Sequence, residues 1–182
     1  MGAAASVHIE HMTEGRPAAG LCVNVTETHV VGFSGPVLAR HASGMPSPDD
    51  LSRVPLFADL DHPDLEVLAQ SFEAEDFGPG RRIVGEGDAG YSFFVVAEGR
   101  AAVTHGDRQV GYLDSGDYFG EMAILGDDGR RTASVTAVTP VVAWVMFGIS
   151  FRTLQRNHPD IAEQIERSVA QRQALYAADP DA

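Results

Sequence analysis

The run Asp117-Tyr118-Phe119-Gly120-Glu121-Met122-Ala123-Ile124-Leu125-Gly126, continuing through Asp127-Asp128-Gly129-Arg130-Arg131-Thr132-Ala133-Ser134-Val135, holds the residues whose types and spacing suit chemistry. Glu121 to Leu125 are good helix formers, and Gly120 ahead of them permits close backbone approach. A short helix there presents free N–H groups at its start, and such an end attracts anions. An arginine some ten residues later, leading into a strand, can return to the same spot and offer a phosphate a bidentate, charge-assisted pair. A carboxylate at the helix start would repel that phosphate, but it accepts hydrogen bonds from sugar hydroxyls. Helix terminus, Arg and Glu together describe a site for a phosphorylated sugar.

The elements that must position this run are visible as short apolar stretches punctuated by glycine. They lie around Ile83 and Val84, Phe93 to Val96, Ala101 to Val103, Val110 to Leu113, Val135 to Val138, and Val141 to Phe147. Turns such as Gly85-Glu86-Gly87-Asp88, Glu98-Gly99, His105-Gly106-Asp107 and Ser115-Gly116-Asp117 separate them. Strands at intervals of roughly 8 to 12 residues predict an antiparallel sandwich or barrel, not an alternating α/β fold. Ahead of them, Asp49-Asp50 opens a short helical stretch. Asp61 is a cap candidate before Pro63, which is placed at the first helical position, and Leu65, Leu68, Ala69 and Phe72 recur at helical spacing. Two helices close the chain, near Ser150 to Arg156 and from Pro159 to about Tyr176. In the second, Ile161, Ile165 and Val169 form an apolar stripe; at about 100° per residue Arg172 and Tyr176 fall on it and Arg167 does not.

On these residues the chain resembles the cyclic nucleotide-binding domain family of protein kinase A regulatory subunits, cyclic-nucleotide-regulated channels and bacterial catabolite activator proteins. The FGEMAIL and RRTASV segments look like that family's phosphate-binding cassette, and the likeness runs from about Leu51 to about Tyr176. The resemblance implies a mainly β fold with flanking helices: an eight-stranded antiparallel jelly-roll barrel with an N-terminal helical segment and a C-terminal helix pair. It implies that Glu121 binds a ribose 2′-hydroxyl, that Arg131 pairs with the cyclic phosphate, and that Gly120, Ala123, Thr132 and Ala133 add contacts. Met122, Ile124 and Leu125 read as core, with Met122 the one that also reaches the ligand. Many members carry Pro before the arginine and one residue fewer in the loop, whereas Gly129-Arg130-Arg131 intervenes here. Aligning on Arg-Thr-Ala-Ser-Val makes Arg131 the ligand and Arg130 a solvated neighbour; the other register makes it Arg130. In the family a side chain of the last helix closes over the base, for which Arg172 is the first candidate and Tyr176 the second. The hydroxyl of Thr132 leaves cAMP against cGMP open.

Composition limits what else the chain can be. Of 182 residues 26 are acidic and 13 basic, all Arg, for a net charge of −13, which disfavours nucleic acid as a partner. No apolar run is long enough to span a membrane. One cysteine, Cys22, and no recognisable secretory leader fit a cytoplasmic protein. Residues 1–48 hold 21 Gly, Ala, Ser or Pro and read as a low-complexity leader, followed by a domain over 49–177 and a tail over 178–182. Met45, just before Pro46, is a candidate alternative start. Met1-Gly2-Ala3-Ala4-Ala5-Ser6 fits an N-acylation pattern that small-residue starts match by chance, and Asn24-Val25-Thr26 is a sequon without a secretory context. The seven histidines form no metal-ligand cluster; His8 and His11 lie in the leader and His105 in a turn. Neither a nucleophile motif nor the His-x-His pattern of barrel metalloenzymes occurs, so the chain is expected to be no enzyme and to need no cofactor beyond its ligand. Since no output module follows the last helix, the expectation is a stand-alone cAMP (or cGMP) sensor that signals to a protein partner in trans through movement of its C-terminal helix. Two alternatives stand beside it: a protein-interaction domain with an unused pocket, and a barrel enzyme acting on a small phosphorylated metabolite.

Overall fold

The computed structural model describes residues 44–177. The leader up to residue 43, with Cys22, His8, His11, the sequon and the acylation pattern, and the 178–182 tail lie outside the described residues.

Helix α1 (Pro48–Leu51) starts at a reciprocal cap in which the Asp50 N–H donates to Ser47 Oγ at 3.2 Å and the Ser47 N–H to Asp50 Oδ2 at 3.0 Å. A 3₁₀ turn (Pro55–Phe57) leads to α2 (His62–Ala69), where the Asp64 N–H donates to Asp61 Oδ1 at 3.0 Å. Pro63 stands in the first turn, one place further in than expected. A second correction concerns Phe72, whose spacing continues the apolar face of α2 although the helix stops at Ala69. Phe72 opens the first strand, fully buried and edge-on to Phe57 at 6.1 Å.

Eight strands follow among the described residues: β1 (Phe72–Phe77), β2 (Arg82–Val84), β3 (Ser92–Glu98), β4 (Arg100–His105), β5 (Arg108–Asp114), β6 (Tyr118–Phe119), β7 (Ser134–Ala137) and β8 (Val141–Phe147). They form two antiparallel four-stranded sheets, ordered β1-β8-β3-β6 and β2-β7-β4-β5. First pairs with last, second with seventh, third with sixth and fourth with fifth: a long hairpin rolled on itself, its tip at β4–β5. This is the antiparallel jelly roll with flanking helices that the resemblance implied.

The apolar runs of β3 and β8 lack polar alternation because both of their faces are buried. Phe94 and Val96 of β3 and Val141, Ala143 and Val145 of β8 fill the inside of the roll with Ala101, Leu113, Val135 and Ala137. The alternate residues Phe93, Val95, Val142, Trp144 and Met146 face outward, into a second core shared with α1, α2 and the two closing helices α4 (Gly148–Asn157) and α5 (Pro159–Ala177). Burying each large side chain of these cores contributes about 1.5–3 kcal/mol before entropy is counted. The outer core anchors the first half of α5 through Ile161 and Ile165, and that anchorage sets where the second half can reach.

Candidate functional site

Between β6 and β7 lies the run singled out above. Gly120 ends β6 in a left-handed conformation, φ 92°, and Glu121–Leu125 form the one-turn helix α3. A Cβ on Gly120 would stand 2.5 Å from the Ser92 carbonyl oxygen and 2.6 Å from Arg131 Nη1, so the chain closes here only without a side chain. The first-turn N–H groups of α3 have no intrahelical acceptor.

Arg131 is brought back to Gly120 by the β2–β3 turn. Its N–H donates to the Asp88 carbonyl at 2.8 Å, its carbonyl accepts from the Gly87 N–H at 2.8 Å, and the Gly90 N–H donates to the Gly129 carbonyl at 2.9 Å. This small ladder points the Arg131 side chain inward, leaving the residue 7% exposed. Its Nη1 donates to the carbonyls of Ser92 (2.9 Å) and Gly120 (3.1 Å), above the Phe94 ring, which stacks in turn on Phe119. Both acceptors are neutral, and the residue has no ion pair among the described residues. Burial pulls its pKa below the ordinary value, opposed by the fields of Glu121 and Asp88. Arg130, one residue earlier, is exposed and donates from Nη1 to the Gly87 carbonyl at 2.7 Å.

Glu121 is fully buried. Its Oε1 accepts from Arg172 Nη1 at 2.5 Å, while Oε2 has no hydrogen-bond partner among the described residues, a costly state for a buried carboxylate oxygen. Arg172 also donates from Nη2 to the Tyr118 carbonyl at 2.8 Å and lies over the Tyr118 ring. Burial alone would lower the pKa of Arg172, but the attraction of Glu121, with that of Tyr118 and Tyr176, outweighs it and the net shift is upward. Burial raises the Tyr118 phenol against a hydrogen bond with Ser168, and raises that of Tyr176 against the field of Arg172.

A cavity, open to solvent at its mouth, lies between these groups. Gly120, Glu121, Met122, Ala123, Arg131, Thr132, Ala133 and Arg172, the residues expected to bind ligand, all line it. Tyr176 and Leu175 of α5 line it as well, together with Val103 and Val110. The helical phase therefore placed Arg172 and Tyr176 on the roll and left Arg167 outside, where it pairs with Glu163 at 2.8 Å. Arg172 is spent on Glu121 and Tyr118, however, whereas Tyr176 faces the cavity and stacks on His105, ring centroids 4.7 Å apart. Sequence reasoning missed Tyr118, Gly90 and His105. No local pattern marks them, because each meets the site through contacts distant in sequence.

Residues 74–158 match the sequence model described as Cyclic nucleotide-binding domain. A cAMP-dependent protein kinase regulatory subunit of Hypocrea atroviridis is 38% identical over 91 residues, half of this chain and 20% of that protein. A cyclic nucleotide-gated potassium channel of Rhizobium etli is 32% identical over 122 residues, covering 67% of this chain and 34% of the channel. The chain thus spans between a fifth and a third of these relatives' lengths. Among solved structures, the catabolite activator protein of Thermus thermophilus superposes with a TM-score of 0.59 at 30% identity, over 66% of this chain and 58% of that one. With its rolled sheets, inward arginine and buried carboxylate, the segment 74–158 of this chain belongs to the cyclic nucleotide-binding domain family.

Proposed function

We propose that this chain binds a cyclic nucleotide monophosphate, cAMP in preference to cGMP, and passes the event to a protein partner through its last helix, with no catalysis of its own. The observation that carries the reading is the pair of buried groups left incomplete at one cavity. Among the described residues Arg131 has no counter-charge in contact, and Glu121 Oε2 has no donor. A cyclic phosphate supplies the first and a ribose 2′-hydroxyl the second. Micromolar affinity needs about 8 kcal/mol, far more than an exposed ion pair gives. A buried guanidinium whose burial cost is already met by folding can contribute much more. The base then occupies the part of the cavity walled by Val84, Val103, Val110 and Leu113 and is covered by Tyr176. Such a wall favours adenine, which has fewer polar edge groups to leave unpaired than guanine. Thr132, whose Oγ1 makes only a 3.5 Å contact to Met122 Sδ, remains free to serve guanine to some degree.

In this reading Arg131 and the α3 amides hold phosphate, Glu121 holds ribose, Tyr176 closes over the base and Arg172 fastens the helix to Glu121. The name of the Hypocrea relative, a regulatory subunit, supports a regulatory role. No helix among the described residues is long and apolar enough to cross a membrane, and cytoplasmic residence is part of the proposal.

Titration calorimetry with cAMP and cGMP, run on wild type and Arg131→Ala, tests the reading. Heat and thermal stabilisation are expected with cAMP, weaker with cGMP, and at least about a 100-fold loss in Arg131→Ala. Silence with both nucleotides would leave the interaction-domain reading in its place. Full affinity in Arg131→Ala would put the phosphate on Arg130.

A further inference from the structure

We infer that His105, at the end of β4, is the latch that holds the last turn of α5 over the cavity and so sets how fast bound nucleotide leaves, an inference that rests on the nucleotide reading above.

Four parts of the molecule meet at this one imidazole. Its Nδ1 lies 2.8 Å from the Thr132 carbonyl oxygen. A carbonyl only accepts, so Nδ1 carries the hydrogen and donates, which leaves the ring face for other contacts. That face stacks on Tyr176, centroids 4.7 Å apart and planes 20° from parallel. Glu86 of the β2–β3 turn stands 3.4 Å from the same nitrogen. Glu86 is itself pinned, its Oε2 accepting from the Gly106 N–H at 2.8 Å and its own N–H donating to Ser134 Oγ at 2.9 Å. The ring is thus fixed from the β2–β3 turn and the β4–β5 tip before Tyr176 arrives.

The Thr132 carbonyl belongs to the same planar peptide as the Ala133 N–H, and both residues line the cavity. Holding that carbonyl orients the peptide beside Arg131, while the ring face holds Tyr176. Cassette and lid are therefore read by one side chain. The other attachments of the second half of α5, Ser168 on Tyr118 and Arg172 on Glu121 and Tyr118, sit one turn or more earlier, so His105 acts on the terminal turn. His105 does not itself line the cavity; it acts through the Thr132 carbonyl and Tyr176 and is a positioning residue.

A stacked aromatic pair is worth a factor of roughly two to ten. The test compares wild type, His105→Ala, Tyr176→Leu and the double variant by two measurements. The first is dissociation of radiolabelled cAMP after dilution into unlabelled cAMP. His105→Ala is expected to speed release roughly three- to tenfold with association changed less than twofold, and the double variant to be no faster than Tyr176→Leu. His105→Phe, which keeps the stack and loses the N–H donor, should recover part of the slow release. The second is amide hydrogen exchange of residues 170–177 in ligand-free protein, where both single variants should accelerate exchange and the double should add nothing. Multiplying effects in either measurement, or a His105→Ala protein indistinguishable from wild type, overturn the latch. If wild type binds no cAMP the nucleotide reading falls, and the exchange measurement still decides the latch by itself.

Discussion

The two walls of the cavity are built in different ways. On the cassette side, Arg131 is placed by main-chain hydrogen bonds to Asp88 and Gly87 and by glycines with no room for a Cβ at 90 and 120. On the opposite side the second half of α5 is attached through side chains: Arg172 to Glu121 and Tyr118, and Tyr176 to His105. The first wall forms as a consequence of folding the roll. The second is held by contacts of order 1 kcal/mol each, which a ligand can exchange for its own. A ligand shifts an equilibrium only by its differential affinity for two states, and the helix wall is where two states differ cheaply.

The largest effect should come from breaking the cassette wall at Gly120. In Gly120→Val a β-branched side chain must adopt φ 92° and occupy the space of the Ser92 carbonyl oxygen and Arg131 Nη1. Left-handed strain and the displaced guanidinium together should cost roughly 3 kcal/mol of stability and more than about 100-fold in cAMP affinity. Denaturant melts and equilibrium binding read the two. Affinity within tenfold of wild type would mean that this wall is as adaptable as the other.

The same contrast governs what the sequence revealed. β3 and β8 were legible as unbroken apolar runs because both faces are buried. β1, Phe-Glu-Ala-Glu-Asp-Phe, was not, since only Phe72 of its six residues is fully buried and three are acidic. β6 is two residues long, and its pairing with β3 is what places Tyr118 beneath Arg172. Phe72 misled because 65, 68, 69 and 72 keep helical phase across the end of α2. Arg172 and Tyr176 were legible because a long helix carries its phase far past its anchored residues. Their partners were not: His105 reaches Tyr176 only once the β4–β5 tip is folded over, and Gly90 meets Arg131 only through the β2–β3 turn.

A smaller effect should follow from loosening the helix wall. Glu121→Gln keeps the shape of the side chain but leaves Arg172 a largely covered cation without its carboxylate. Ligand-free stability should fall by about 1–2 kcal/mol and cAMP affinity by roughly tenfold, since an amide oxygen still accepts from a hydroxyl more weakly than a carboxylate does. Adding Arg172→Met should restore part of the stability and none of the affinity. Urea titrations of wild type, Glu121→Gln, Arg172→Met and the double variant form the cycle. Additive losses would show that the pair does not fasten α5 to the roll.

The smallest effect is expected one residue from the most sensitive one. Arg130 and Arg131 are adjacent and chemically identical, and the extended chain at the Ala89–Arg130 bridge sends neighbouring side chains to opposite sides. Arg131 therefore enters the roll while the Arg130 side chain stays in solvent, where it donates to the Gly87 carbonyl. A solvent-exposed contact of this kind contributes a few tenths of a kcal/mol, and its charge is screened beyond about 8 Å at physiological salt. Arg130→Ala should thus leave cAMP affinity within about twofold of wild type by calorimetry. A tenfold loss would instead place the counter-charge for phosphate on the outer side of the loop, and the inward guanidinium would become a purely structural tie between Ser92 and Gly120.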